Sequence, residues 1–173
     1  EYELSLGKIE KASWFGDRRL GVDIARGGGN ANVWVLRTEN YATVIAKNHD
    51  ADLMSVVGTT IRLAEEYKIQ SYAIYLDDTG VGAGVTDRMR EQGLRVNAVK
   101  LGETASNDSK FFNKRAENYW RMKEWLVSGG KLDPQGDWME ITDVKYKADG
   151  SSGRLKMMSK DEMRKIGVES PDT

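Results

Sequence analysis

Two aspartates each end an apolar run and stand directly before a segment rich in glycine. Asp23 lies in Leu20-Gly-Val-Asp-Ile-Ala25, and Asp77 ends Tyr72-Ala-Ile-Tyr-Leu-Asp77, before a turn with glycines at 80, 82 and 84. Apolar runs of this length that stop at glycine predict buried strands. Carboxylates at the ends of neighbouring buried strands repel each other unless something positive lies between them. A divalent metal is the economical occupant, so the pattern predicts a metal-dependent enzyme.

Composition narrows the chemistry further. The chain has 173 residues, 39% of them hydrophobic and 31% charged, with a net charge of −1 and no cysteine. These values are typical of one globular domain, give no general attraction to nucleic acid, and exclude thiolate chemistry. The single histidine, His49, lies in a polar stretch and leaves no HExxH zinc site. No apolar stretch approaches the roughly 20 residues that span a bilayer, so we expect no membrane partner.

The order of the predicted elements indicates a mixed α/β fold. Three antiparallel-type strands precede an alternation of helices and strands, and a crossover through a helix makes the fourth strand parallel to the first. Asp23 and Asp77 then share one edge. This arrangement resembles the ribonuclease H-like fold, a mixed five-stranded sheet flanked by helices, with an additional C-terminal β-hairpin. The predicted strands are 19–25, 32–37, 42–46, 72–77, 94–99, 138–147 and 154–157, and the helices are 52–67, 85–92, 109–128 and 160–166.

Asp23 also has a simpler interpretation, and so do the glycines that follow Asp77. Asp23 alone is compatible with a turn residue before glycines, or with an ion pair to Arg26. An unpaired carboxylate inside a strand is costly to bury, however, so this position requires a partner. The glycines after Asp77 are not a P-loop, because no Lys-Ser/Thr follows them. We predict a tight strand-to-helix turn there instead.

Positive charge is concentrated in one part of the chain. Residues 88–131 hold ten Lys or Arg against five Asp or Glu. Such a block is often a solvated helix face, but beside an acidic site it predicts a flank that contacts phosphates. Lys145, Lys147, Arg154 and Lys156 surround a glycine-containing turn and are interpreted as a mobile basic finger, a second candidate DNA contact.

Four segments together resemble the C-terminal nuclease domain of the large terminase subunit, the DNA-packaging protein of tailed bacteriophages. They are Gly21-Val-Asp-Ile-Ala-Arg-Gly-Gly28, Asp77-Asp-Thr-Gly-Val-Gly-Ala-Gly84, Lys114-Arg-Ala-Glu-Asn-Tyr-Trp120 and Gly167-Val-Glu-Ser-Pro-Asp172. Each is weak alone, but the four occur in the family's order and span nearly the whole chain. We therefore expect residues 1–173 to form a single nuclease domain, truncated at its C-terminal end and without the ATPase motor domain.

The resemblance implies a site of three acids: Asp23, Asp77 and Asp172, each both catalytic and metal-binding. Asp172 stands next to the last residue, where an aspartate would otherwise be assigned to a disordered terminus. Two Mg²⁺ or Mn²⁺ ions, roughly 3.5–4 Å apart, would share Asp23 and activate water for attack on phosphorus. Oxygen ligands without Cys or His favour these ions over zinc.

The resemblance also implies a substrate and partners. The expected activity is cutting of double-stranded, concatemeric viral DNA during packaging. Arg26, Lys114 and Arg115 would contact the DNA backbone, which positions DNA without reading bases, so little sequence specificity is expected. The expected partners are the terminase ATPase domain, the small terminase subunit and the portal protein. The expected location is the cytoplasm of the infected bacterial host, outside the virion.

Two other classes stay open at this point. The first is a ribonuclease H-like module that binds DNA or the portal without cutting, which would shift DNA without metal-dependent cleavage. The second is an actin-like nucleotide-binding domain, whose glycine-rich turns also follow strand aspartates, and which ATP would stabilise against heat.

Overall fold

The computed structural model of the chain describes residues 16–25, 30–134, 136, 138, 141 and 144–167. The strands are β1 (Arg19–Asp23), β2 (Asn32–Arg37), β3 (Tyr41–Asn48), β4 (Ile74–Asp77), β5 (Asn97–Val99), β6 (Lys131–Leu132), β7 (Tyr146–Ala148) and β8 (Leu155–Met157). The helices are α1 (Leu53–Glu66), α2 (Gly82–Glu91), α3 (Lys114–Val127) and α4 (Lys160–Lys165), and a 3₁₀ turn, Ser71–Ala73, precedes β4. No helix in these ranges is long and apolar enough to cross a bilayer.

Six strands form one mixed sheet in the order β5-β4-β1-β2-β3-β6. β1, β2 and β3 pair antiparallel, whereas β4 pairs parallel with both β1 and β5. The ribonuclease H-like class, the parallel pairing of the first and fourth strands and the separate β7–β8 hairpin are therefore confirmed. The sixth strand, β6, was not predicted, because two residues are too few to show a periodic pattern.

The two faces of the sheet are covered by different helices. On one face, Leu20, Trp34 and Leu76 belong to a core that α1 and α2 complete. The buried Trp34 indole donates to the Thr60 hydroxyl at 2.9 Å, so α1 is tied to the centre of the sheet. On the other face, Trp125 and other side chains of α3 pack over β2 and β3. The side chain of Asp23 belongs to this second face, since alternate residues of β1 point into the first core.

The long helix begins later than predicted. α3 starts after Asn113, whose side chain accepts from the Ala116 amide at 3.0 Å, rather than at residue 109. The residues before it pair with the hairpin instead: the Phe112 amide donates to the Leu155 carbonyl, and the Leu155 amide to the Lys110 carbonyl, both at 2.8 Å. Tertiary backbone pairing thus replaces a first helical turn.

The predicted strand 138–147 is wrong over most of its length. β7 begins at Tyr146, and Trp138 is not in a strand. Trp138 is buried against Ala42 and Leu132, and its indole donates to the Asp133 carbonyl at 2.8 Å. Aromatic residues favour strands in a sequence pattern, but here the burial of one large ring decides the local path of the chain.

Candidate active site

The structure brings Asp23 and Asp77 together at one edge of the sheet. β1 and β4 run parallel with Val22 opposite Leu76, so the next residue of each strand is an aspartate. Burial and the Asp77 carboxylate, in that order, raise the pKa of Asp23, and the Ile24 amide opposes them. Two acids of adjacent strands therefore repel each other in a partly buried setting. We call the C-terminal ends of β1, β4 and β5 the acidic end.

The turn after Asp77 depends on one glycine. A Cβ added to Gly82 would lie 1.8 Å from the Asp77 carbonyl oxygen, so no side chain fits there. The Asp77 carboxylate accepts from the Thr79 amide at 3.0 Å, which orients it within the turn. The predicted tight strand-to-helix turn is confirmed, but α2 begins at Gly82, three residues earlier than predicted. Close approach of the helix to the strand explains why the segment contains glycine here.

A lysine that the sequence did not single out also lies at this edge. β5 is parallel to β4, and the Asp78 amide donates to the Val99 carbonyl at 3.0 Å. The Lys100 ammonium consequently lies 3.7 Å from the Asp78 carboxylate, whose side chain is 8% exposed. Lys100 neutralises a third acid beside the Asp23–Asp77 pair. Nothing in the sequence showed which strand end Lys100 occupies, because that depends on the pairing of β4 with β5.

Asn32 is a second residue that sequence reasoning missed. It is fully buried at the start of β2, and its side-chain oxygen accepts from the Ala25 amide at 2.9 Å. Its amide nitrogen donates to the Asn48 side chain at 2.9 Å and to the Asp50 carbonyl at 2.8 Å. Asn32 therefore links the segment after Asp23 to the segment after β3 by hydrogen bonds. A polar residue opening an apolar strand was the available signal.

Two of the predicted site residues, Arg26 and Asp172, lie outside the described residues. Within the ranges that the structure describes, Asp23 and Asp77 are not joined by a third acidic or histidine side chain in a metal-binding group. The described part of the site is thus a pair of carboxylates.

The basic start of α3 is connected to the acidic end through the backbone. The Arg115 amide donates to the Leu101 carbonyl at 2.9 Å, just beyond the end of β5. Lys114 donates from its ammonium to the Ser106 hydroxyl at 3.0 Å, and the Arg115 guanidinium lies 5.8 Å from the centre of the Tyr119 ring. These two candidate DNA-binding residues therefore belong to the segment that follows β5 out of the site.

The predicted basic finger is packed against the body of the domain at its base. Leu155 and Met157 of β8 pack against the cluster of Phe111, Ala116 and Trp120. Several of its cations already have partners: Lys147 pairs with Glu162, while Arg154 and Lys156 lie 5.2 and 4.4 Å from the centre of the Phe112 ring. Lys145 is exposed at the start of the hairpin. A cation over an aromatic ring keeps its charge, so Arg154 and Lys156 stay available to phosphates.

The fold and the paired acids define the class of domain: a ribonuclease H-like domain whose first and fourth strands each end in a carboxylate. Solved structures that share this fold include nuclease domains of large terminase subunits. The nuclease domain of the large terminase subunit gp2 of bacterial virus Sf6 gives a TM-score of 0.75 at 21% identity, covering 99% of this chain and 91% of that one. A mutant of that domain with manganese gives 0.73 at 21% identity, with the same coverage.

A second phage gives a weaker similarity. The large terminase nuclease from thermophilic phage G20c with bound magnesium has a TM-score of 0.55 at 15% identity, covering 83% of this chain and 71% of that one. At these identities the similarity is one of fold, and the resemblance seen in the sequence motifs is confirmed at that level. No protein-family model and no curated protein sequence matches the chain.

Proposed function

We propose that this chain is a metal-dependent endonuclease that cuts double-stranded, concatemeric viral DNA during genome packaging. The observation that carries the proposal is the mutual repulsion of Asp23 and Asp77 at the ends of adjacent parallel strands. An acid whose pKa is raised in this way, as that of Asp23 is, is typical of a functional site. The fold shared with terminase nuclease domains supports the choice of reaction and substrate.

The acidic end fits a divalent cation by the chemistry of its donors. Asp23 and Asp77 offer carboxylate oxygens, which hard cations such as Mg²⁺ and Mn²⁺ prefer. Burial and then the charge of Asp77 raise the pKa of Asp23, and a cation between the two carboxylates would offset both. Asp23 and Asp77, with Asp172 as the third acid, are the residues that would hold two such ions.

Divalent cations at such a site supply a nucleophilic water and stabilise the leaving oxygen of phosphodiester hydrolysis. The chain's own residues supply position and charge. The Asp77 carboxylate is oriented by the Thr79 amide, and Asn32 fixes the chain just beyond Asp23. Lys100 cancels the charge of Asp78, so the net negative charge of the described site stays on Asp23 and Asp77.

The substrate is proposed to be held by its backbone. Lys114 and Arg115 follow β5 away from the site, with Arg26, Lys145, Lys147, Arg154 and Lys156 as further contacts. Because phosphate contacts carry no sequence information, we propose that cutting has little sequence specificity. The proposed partners are the terminase ATPase domain, the small terminase subunit and the portal protein, in the cytoplasm of the infected bacterium.

Conversion of supercoiled plasmid to nicked and linear forms tests the proposal. The wild-type chain and Asp23→Ala are each incubated with Mn²⁺, Mg²⁺ or EDTA. Arg62→Gln serves as a matched surface control, because Arg62 belongs to an exposed ion pair of α1. Cutting that requires metal, is lost in Asp23→Ala and persists in Arg62→Gln is the expected result. DNA binding without cutting under any metal condition, by a folded chain extended beyond Thr173, would instead establish the non-cleaving module.

A further inference from the structure

A second pair of like charges lies at the opposite end of the strand that carries Asp23. Arg19 of β1 is directly opposite Arg37 of β2 in the antiparallel register. Like charges in directly opposed positions destabilise a sheet. Burial and the charge of Arg19, in that order, lower the pKa of Arg37, while Tyr75 acts in the opposite direction.

No described carboxylate forms an ion pair with either arginine. The ion pairs of the described ranges involve other residues, and Arg37 instead lies 5.0 Å from the centre of the Trp125 ring. A cation–π contact leaves the positive charge in place. The pair is therefore a concentration of positive charge on a sheet surface, which a bound anion would stabilise.

Arg19 opens onto a cleft of about 430 Å³ that contains further cations and two exposed rings. Arg18 and Lys68 line it on the positive side, with Asp17 as its acid. Tyr72 and Tyr75 line it with side chains that are 66% and 38% exposed. We call Arg19, Arg37 and Lys68 the basic end, since they lie at the ends of β1, β2 and α1 away from Asp23.

The backbone at Lys68 gives an independent indication. Lys68 has φ of 54°, the one non-glycine residue of the described ranges with a positive φ. It follows the end of α1, where glycine is the usual residue in this conformation. A lysine there is held at a conformational cost, and such positions are concentrated where a side chain is used.

We propose that the basic end is a second contact for the DNA backbone, engaged by the same duplex that is cut at Asp23 and Asp77. This inference rests on the proposed function for its substrate. Arg19 and Asp23 lie on the same face of one strand, four residues apart, which is about 13 Å. The major groove of DNA is about 12 Å wide. This face of the sheet can therefore present Asp23 and Asp77 to one phosphate backbone and Arg19 and Arg37 to the backbone across the groove, with Lys68 at the adjoining cleft.

Equilibrium binding of a short fluorescent duplex tests the inference without cleavage. All chains carry Asp23→Asn and are measured without metal between about 50 and 200 mM salt. Arg19→Gln, Arg37→Gln and Lys68→Gly are compared with Arg62→Gln, which removes an exposed arginine of α1 that does not line the cleft. We expect each basic-end variant to reduce the salt slope by about one. Over this fourfold salt range, the parent then loses about fourfold more affinity than the variant.

Two further chains separate binding from folding. Arg19→Lys keeps the charge and is expected to retain the parent's salt slope. Lys68→Gly relieves the positive φ, so we expect it to melt no lower than the parent while it binds DNA more weakly. Basic-end variants that keep the parent's affinity for DNA and its salt slope would overturn the inference. The same holds if the variants bind DNA like the parent and lose affinity only for an acidic peptide.

The outcomes also distinguish this inference from the nuclease proposal. A wild-type chain that cuts plasmid, with basic-end variants that bind DNA like the parent, would keep the nuclease and reject the second contact. A wild-type chain that never cuts, with variants that lose affinity, would reject the nuclease and keep the basic end as a DNA-binding site.

Discussion

The two ends of β1 present the same electrostatic problem with opposite signs. Asp23 has the carboxylate of Asp77 beside it, and four residues earlier Arg19 has the guanidinium of Arg37 opposite it. Both acids are partly buried, whereas in the basic pair Arg37 is partly buried and Arg19 is exposed to solvent. Water screens exposed charges far better than partly buried ones. We therefore expect the acidic end to bind its cation tightly and the basic end to bind an anion weakly.

The supports of the two ends differ in the same way. The acidic end is fixed by Asn32, which is fully buried, and by the close approach of Gly82 to the Asp77 carbonyl. Near the basic end, Asn97 donates to the Tyr72 and Ile74 carbonyls from a partly exposed position on an edge strand. A rigid, buried support suits a site that holds small ions, and a solvated one suits backbone contacts along a long polymer.

Neutralising one charge at each end should give the largest contrast. Asp23→Asn is expected to lower cutting by on the order of 10³-fold, since losing one electrostatic group at a reacting centre costs about that much.

Mn²⁺ at about 100 times its dissociation constant should stabilise the wild type by about 2.7 kcal/mol. Asp23→Asn should lose this stabilisation, and Arg19→Gln should keep it. Melting with and without Mn²⁺ measures it, and an unchanged Mn²⁺ response in Asp23→Asn would contradict a metal at the acidic end.

A methyl group tests how rigid the acidic end is. Gly82→Ala should lower the free energy of unfolding by about 3 kcal/mol, because its Cβ meets a backbone oxygen that cannot rotate away. Gly58→Ala is the matched control, since its Cβ has no neighbour within 4 Å in the middle of α1. It should raise the free energy by about 0.5–1 kcal/mol. Urea unfolding measures both, and a Gly82→Ala variant as stable as the wild type would contradict a rigid turn after Asp77.

Two asparagines compare the supports directly. Asn32→Ala leaves the Ala25 amide and the Asp50 carbonyl without their partner, and should lower the free energy of unfolding by about 1–3 kcal/mol. Asn97→Ala removes one exposed and one partly buried bond to backbone carbonyls, and should cost about 0.5–1.5 kcal/mol. Urea unfolding checks the order, and an equal cost would mean that burial does not distinguish the two ends.

The smallest expected effects come from relieving each repulsion without metal. Since the folded pKa of Asp23 is raised above 3.8, the folded chain binds more protons there, and its stability falls as pH rises from about 3.8 through the folded pKa. Asp23→Asn should therefore gain on the wild type over that window, by up to about 1 kcal/mol after screening.

Arg19→Gln provides the matched measurement at the basic end. It should stabilise by about 0.2–1 kcal/mol at low salt, with no dependence on pH between 4 and 8 because arginine stays charged. Urea unfolding in EDTA at several pH values compares both variants with the wild type. If the stability gain of Asp23→Asn over the wild type shrinks as pH rises, the expected effect of the raised Asp23 pKa is contradicted.

The sequence predicted the acidic end well because it depends on strand order and on residue type. Apolar runs that stop at an aspartate, joined by a helical crossover, are enough to place Asp23 beside Asp77. The same reasoning gave the extents of β2 and α1 to within one residue. These elements follow from periodicity and from local caps such as Asp52, which accepts from the Met54 amide at 3.0 Å.

The parts that the sequence did not predict depend on contacts between distant segments. Lys100 reaches Asp78 only through β4–β5 pairing, and Arg19 meets Arg37 only in the β1–β2 register. The start of α3 was placed too early because Phe112 pairs with Leu155, 43 residues further along the chain. No local pattern contains these distances. The sequence-based candidates Arg26 and Asp172 stay predictions.

The parallel pairing of β1 with β4 also constrains how the chain acquires its activity. Leu20 and Ile74 are partners although 54 residues separate them. The β1–β3 hairpins close over short loops, while the parallel pairing must wait for a long loop to close, and non-local pairings of this kind form slowly. The two carboxylates therefore meet only after the hairpins of β1, β2 and β3 have formed. A refolding chain should gain its affinity for divalent ions late, so a metal-sensitive dye would report the completion of folding rather than its start.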